Sequence, residues 1–186
     1  MAKVQDVADF FIQLANEDKE AHDMTNLRLN KLLYFAQGHY LAMYDEPLFE
    51  EDFQLWEFGP VVRCIYDEYK SLGSSPITKY DDMDKKRPFT DKEQSLLFDI
   101  LVNYADYTTS ELVNLAHKKG SPWDLNFEKG VSSIPLTKED MKKYFKNIKL
   151  RTYSDNLKAV PTVDGHHLPV EWDTKEDDEV WGGEVA

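Results

Sequence analysis

Residues 25–44 read TNLRLNKLLYFAQGHYLAMY, and residues 57–62 read EFGPVV. In the first stretch, apolar residues recur at three- and four-residue spacing, which predicts a helix from about Asn26 to Tyr44. Thr25 or Asn26 can cap its N-terminus. Other apolar residues lie outside the main stripe, so we expect a central helix that other elements cover on several sides. The main stripe is Leu29, Leu32, Leu33, Ala36, Tyr40 and Met43, and the additional positions are Leu27, Tyr34, Phe35 and Leu41.

The segment that follows the central helix predicts a small sheet. Phe53 to Phe58 alternates in its side-chain pattern, as is typical of a short strand. Gly59 and Pro60 end this strand, and the fixed φ of proline suits the first turn of a helix that Gly73 stops. Ile77 to Tyr80 offers a second strand that could pair with the first.

Further helices surround this centre. Val4 to Ala15 carries an amphipathic pattern, and three later helices each begin with a capping pair. These features predict a mainly α (α+β) fold, in which a compact helical domain surrounds a central apolar helix and a small two- or three-stranded sheet. The three pairs are Thr90 with Glu93, Thr108 with Glu111, and Thr137 with Asp140.

The chain changes character after about Leu150. Helical periodicity stops, and the last residues combine acidic side chains with two tryptophans. We therefore divide the chain into a helical domain, residues 1–150, and a C-terminal extension, residues 151–186. Aromatic anchors flanked by acids can bind a basic protein surface. The candidate binding residues of the extension are Trp172, Trp181, Asp177, Asp178 and Glu179.

Charge and composition narrow the class of protein. The net charge is -13, and no basic cluster is present to neutralise phosphates, so direct nucleic-acid binding is not expected. The acidic balance favours a basic protein partner. A lone cysteine, Cys64, fits a reducing cytoplasm and is expected to be buried within a helix. No apolar run is long enough to cross a membrane.

Residues that could carry chemistry do not form a known pattern. The histidines show no metal-binding spacing, and no phosphate loop or nucleophile motif occurs. We therefore expect no metal, no other cofactor and no enzymatic activity.

The two opening stretches resemble the Panacea domain of SocA-like and GepA-like antitoxins. The family pattern is T-N-L-x-L-x-K-L-L-Y-x-A-Q-G, then P-L-F, a tryptophan, and G-P-V-V with a following tyrosine. A weaker pattern of histidine and Pro-Trp comes later. The matching positions include Thr25, Asn26, Leu32, Leu33, Tyr34, Gln37, Gly38, Trp56, Gly59, Pro60, Val61, Tyr66, His117, Pro122 and Trp123.

The resemblance implies an antitoxin that neutralises a cognate toxin, the product of the adjacent gene, by direct binding. One alternative is a prophage-encoded interaction protein without a dedicated toxin. In the SocA branch the antitoxin instead acts as an adaptor that delivers the toxin to a cytosolic AAA+ protease. Most of the matching positions are expected to be structural, because they fill a core or shape a corner. Lys31 and Gln37 are polar on the same helix and could be exposed or could bond nearby backbone.

Overall fold

The computed structural model of the chain describes residues 1–17, 22–78, 89–131 and 133–152. The described part is mainly α-helical with a small antiparallel sheet, which confirms the predicted fold class. The helices are α1 (Val4–Glu17), α2 (Asn26–Tyr44), α3 (Arg63–Tyr69), α4 (Asp91–Tyr104), α5 (Thr109–Ala116), α6 (Pro122–Asn126) and α7 (Lys138–Phe145), and the strands are β1 (Phe53–Trp56), β2 (Gly59–Val62) and β3 (Ile134–Leu136).

Helix α2 is the centre of the molecule. Of its 19 residues 15 are buried, because α1, α3, α4, α5, α7 and β2 all pack against it. The Thr25 side chain accepts a hydrogen bond from the Arg28 N–H and caps its start, as predicted. The prediction that Met43 lies in the apolar stripe was wrong, since its side chain is 49% exposed in the last turn of the helix.

Aromatic rings fill the space between α2, α4 and α7. The Phe35 and Tyr104 rings stack with their centroids 4.3 Å apart, and Phe145 meets Tyr34 edge-on at 5.3 Å. Gly38 makes the approach of α7 possible, because a Cβ at this position would lie 2.2 Å from the Phe145 ring. A glycine inside a helix therefore has a packing reason here.

The sheet has the strand order β2-β1-β3, with both neighbours antiparallel to β1. Phe53 pairs with Val62 on one side and with Leu136 on the other. The prediction of a strand at Ile77 to Tyr80 was wrong for its described residues, Ile77 and Thr78. The Ile77 side chain is buried and its N–H donates to the Met24 carbonyl, so this segment packs beside the start of α2 instead.

Gly59 and Pro60 belong to β2, and helix α3 begins only at Arg63. The prediction of a strand-to-helix corner at this dipeptide was therefore wrong. Trp56 pairs with Gly59 across a two-residue turn, and Gly59 has φ of +95°, which favours glycine. The Pro60 carbonyl points away from β1, and the N and C=O of a strand residue face the same side. The nitrogen of Pro60 therefore also faces away from β1, and proline at this position costs the sheet no hydrogen bond.

Helix caps followed the sequence closely. Both bonds of the predicted capping boxes form at Thr90 and Thr108, and the Thr137 side chain accepts from the Asp140 N–H. The short helix α6 was not predicted. The Ser121 side chain accepts a hydrogen bond from the Asp124 N–H and caps this helix, and Pro122 occupies its first position. A capping residue followed by proline is a signal for a helix start, but Pro122 was assigned only to the family motif.

Candidate functional site

Polar side chains of α2 clamp the outer edge of strand β2. The Asn30 Oδ1 accepts a hydrogen bond from the Val62 N–H at 2.9 Å, and the Lys31 Nζ donates to the Pro60 carbonyl at 2.9 Å. Both side chains are buried. The unpaired backbone of an edge strand normally faces solvent or a partner chain. Here the central helix satisfies it, which fixes the β1–β2 hairpin on the body of the protein.

Two further polar residues of α2 work in the same way. The Gln37 amide accepts from the Leu48 N–H at 2.8 Å and donates to the Phe49 carbonyl at 2.9 Å. Asn26 donates to the Tyr66 carbonyl at 3.0 Å. Of the two alternatives for Lys31 and Gln37, bonding to backbone is the one the structure adopts. The role of Asn30 was missed, although a polar residue within an apolar helix signals a buried hydrogen bond.

Lys31 and His117 meet beneath the hairpin turn, at Gly59. A Cβ on Gly59 would lie 3.0 Å from the Lys31 Nζ and 3.5 Å from the His117 Nε2. Burial lowers the pKa of Lys31 to about 7. Burial, followed by the charge of Lys31, lowers the pKa of His117 to about 4. The His117 Nε2 is buried and has no hydrogen-bond partner within the described residues.

An aromatic chain connects His117 to the protein surface. The His117 ring lies 3.7 Å from the Trp123 ring, and Trp123 stacks on Phe127 at 4.5 Å. The Trp123 Nε1 donates to the Trp56 carbonyl at 2.7 Å, just before the hairpin turn. The turn is therefore fixed from β2 by Lys31 and from β1 by Trp123.

Two open grooves flank the hairpin. The larger, of about 810 Å³, lies between the hairpin, α6 and the loop that follows it. The smaller, of about 420 Å³, lies between the hairpin, α2 and α3. Trp56 and Glu57 line both grooves, and Phe58 at the turn is 61% exposed. We define the hairpin face as Trp56, Glu57, Phe58, Trp123, Phe127 and Val131.

The family-motif positions fall into three groups in the structure. One group is structural: Thr25 caps α2, Leu32, Leu33 and Tyr34 lie in the core, Gly38 admits Phe145, and Pro122 begins α6. A second group, Lys31, Gln37, Gly59, Pro60 and His117, holds backbone or lies beneath the hairpin. The third group lines the grooves and comprises Asn26, Trp56, Val61, Tyr66 and Trp123.

The predicted binding residues of the C-terminal extension lie outside the described residues. These are Trp172, Trp181, Asp177, Asp178 and Glu179. No prediction pointed to Phe58, Phe127 or Val131 as surface residues. Phe58 and Val131 are exposed and Phe127 is half-buried, and their positions depend on the hairpin turn and on α6, neither of which was predicted.

The prediction that Cys64 is buried was wrong. Helix α3 starts at Arg63 and turns Ile65 and Tyr69 inward, which leaves the Cys64 side chain exposed. Partial burial and the nearby Glu51 carboxylate raise the pKa of its thiol, so the reactive thiolate is disfavoured.

The described residues contain neither a cluster suited to a metal ion nor a helix suited to a membrane. Within 1–17, 22–78, 89–131 and 133–152, no group of three or more His, Cys, Asp or Glu side chains is arranged to hold a metal ion. In the same part of the chain, no helix has the length and apolar character needed to cross a bilayer.

Comparison with known proteins identifies relatives of the chain. Residues 29–124 match the sequence model of a family described as antitoxin SocA-like, Panacea domain. The chain is similar to antitoxin SocA of Caulobacter vibrioides, with 31% identity over 111 residues. This alignment covers 55% of the chain and 59% of the Caulobacter protein. No solved structure matches the chain significantly. The matched region runs from α2 to α6 and contains the hairpin.

Proposed function

Because the chain belongs to the SocA-like antitoxin family that carries the Panacea domain, we propose that it neutralises a cognate toxin by binding it directly. Family membership makes a toxin the general partner and favours a non-enzymatic role. The cytoplasm is the proposed location, and the product of the adjacent gene is the proposed partner.

The hairpin face is the observation that best supports direct binding. Phe58 and Val131 are 61% and 45% exposed, and they flank Trp56 and a stacked Trp123–Phe127 pair. Exposed apolar patches of this kind typically mark protein-interaction sites, and tryptophan is enriched among the residues that dominate binding energy. The clamps from α2 hold this face rigidly, which reduces the entropy lost on binding.

The negative charge of the chain favours a toxin whose binding surface is basic. The chain has a net charge of -13, while the grooves combine the exposed Glu57 with Arg63, Lys70 and Lys129, so it is the charge of the whole chain that favours a basic toxin. Opposite charge on the toxin would steer the encounter and fix its orientation, while the aromatic residues supply the buried contact area. The acidic C-terminal extension, with Trp172 and Trp181, is a second candidate surface for the same reason.

Co-expression with the neighbouring gene tests the proposal. If that gene encodes the toxin, the full-length chain should restore growth and should co-purify with the toxin. Phe58→Asp tests the hairpin face, and Met43→Asp, also on an exposed apolar side chain, is the matched control. Truncation after Leu150 tests the extension.

The outcomes separate the alternatives. Loss of rescue with Phe58→Asp alone assigns the toxin to the hairpin face, and loss with the truncation alone assigns it to the extension. If the full-length chain neither rescues growth nor binds the neighbour, direct neutralisation is wrong.

A proteolytic adaptor would also suppress toxicity and needs its own measurement. The half-life of the toxin in cells should be unchanged by the antitoxin if neutralisation is direct. A half-life that shortens with the antitoxin, and that depends on a AAA+ protease, would assign the adaptor role instead.

A further inference from the structure

We propose that Lys31 and His117 are positioning residues that hold the hairpin face in its binding geometry, an inference that rests on the toxin binding proposed above. Neither residue lines either groove, so neither is expected to touch the toxin itself. Their effect would pass through the two strands that carry the turn.

Lys31 holds the β2 side of the turn. Its side chain is fully buried, and within the described residues its hydrogen bond goes to the Pro60 carbonyl, two residues after Phe58. Because the carbonyl faces the protein interior, water cannot easily replace the lysine as donor. Gly59 lies against the same ammonium, so a shift of Lys31 would move the strand at its first residue.

His117 holds the β1 side of the turn. Its ring packs on Trp123, which in turn donates to the Trp56 carbonyl, two residues before Phe58. Trp56 and Gly59 are direct partners across the turn. The two fixed points therefore face each other at the base of the two-residue loop that presents Phe58.

The protonation state of Lys31 should also affect how tightly the hairpin face binds the toxin. His117 is the titratable group in the described part whose pKa responds to the charge of Lys31. The amine also contacts Gly59 and the Pro60 carbonyl, and neither of these residues titrates. Protonation of Lys31 places an uncompensated cation beneath the turn, which favours opening of the site to water. Toxin affinity should therefore fall as pH decreases through about 7.

The test compares two substitutions on one helix. Lys31→Met removes the amine under the hairpin, and Gln37→Met removes an equally buried clamp that bonds the 48–49 segment instead. With purified full-length protein at about pH 8, where the amine is mainly neutral, we expect Lys31→Met to weaken toxin binding about five- to tenfold, the value of one buried neutral hydrogen bond. Gln37→Met should change affinity by about twofold or less, once the folded fraction is taken into account.

Two readouts separate positioning from general destabilisation. Lys31→Met also removes a buried amine, so this variant is expected to fold while it binds less. Amide hydrogen exchange should quicken at residues 55–62 in Lys31→Met and in His117→Leu, but not in Gln37→Met. The wild-type affinity should weaken from about pH 8 to about pH 6, and this dependence should vanish in Lys31→Met.

The results distinguish failure of this inference from failure of the proposed function. If the wild-type chain does not bind the neighbouring gene product, the proposed function is wrong. If the wild type binds but both methionine variants bind equally well, or lose affinity equally, Lys31 does not position the hairpin face. An affinity of the wild type that is constant over the same pH range would overturn the protonation argument.

Discussion

The two sides of helix α2 are built on different physical principles. Towards α4 and α7, the rings of Tyr34, Phe35, Tyr104 and Phe145 pack mainly by shape. Arg28 adds bonds to the Ala105 and Tyr107 carbonyls at the end of α4. Towards the hairpin, Asn30 and Lys31 bond individual backbone atoms of β2. Close-packed rings supply stability in proportion to buried area. Directional bonds to a strand edge determine where that strand lies. We therefore expect stability and partner binding to depend on opposite sides of one helix.

The largest expected effect is loss of packing on the aromatic side. Phe145→Ala removes a ring that is 1% exposed and contacts Tyr34, Phe35 and His39, and should lower the free energy of unfolding by about 4 kcal/mol. Urea denaturation measures this change, with exposed Lys143→Ala as the control. Molecules that remain folded should still bind the toxin normally. A large loss of affinity per folded molecule would break the proposed division of roles.

The second effect concerns the hairpin side, where the free energy of unfolding should depend on pH. The pKa of Lys31 is lowered from 10.5 to about 7 on folding, so the unfolded chain binds one more proton between these values. Stability should therefore rise with pH in this window, by about 2 kcal/mol from about pH 7 to about pH 9. The measurement is the difference in unfolding free energy between wild type and Lys31→Met at each pH. A difference independent of pH would contradict the assignment of a neutral buried amine.

A third substitution tests how tightly the aromatic side is packed. Gly38→Ala places a methyl group 2.2 Å from the Phe145 ring, which should cost about 1–3 kcal/mol although alanine favours helices. In a Phe145→Ala background the clash is absent, so the same change should be neutral or stabilising by about 1 kcal/mol. Thermal denaturation of the four proteins completes the cycle. Additive effects would show that α7 does not need the glycine.

The smallest effect provides a reference away from both sides. Thr90→Ala removes the side chain that caps α4 and should lower stability by about 1 kcal/mol. Toxin affinity should be unchanged, because the cap contacts neither α2 clamps nor the hairpin face. If this variant weakened binding as much as Lys31→Met, a loss of stability anywhere in the domain would explain both.

The aromatic side was predictable from sequence and the hairpin side was not. Periodicity places Leu32, Tyr34 and Phe35 in a buried helix, because spacing alone decides which residues share a face. The partner of Lys31 is a carbonyl 29 residues away, and no local pattern identifies it. Gly59-Pro60 also misled the assignment, since the φ of proline suits both a helix start and an edge strand.

The exposure of individual residues was also harder to predict than the buried helix. Cys64 was expected inside because its neighbours are apolar, yet the phase of α3 turns it outward. Met43 keeps the spacing of the apolar stripe but is exposed in the last turn of α2. The exposure of Phe58 follows from the turn of the hairpin, which the sequence pattern did not show. Binding by the residues of the C-terminal extension, and the division of the chain at residue 150, remain predictions.

The central position of α2 has a consequence for synthesis on the ribosome. Helix α7, which covers its aromatic side, ends at Phe145, about 100 residues after α2 is complete. At roughly 5–20 residues per second, α2 waits on the order of ten seconds for this cover. During that interval the apolar surface of the nascent helix is available to chaperones. The helix that carries the family signature is thus complete long before the last element that covers it has been made.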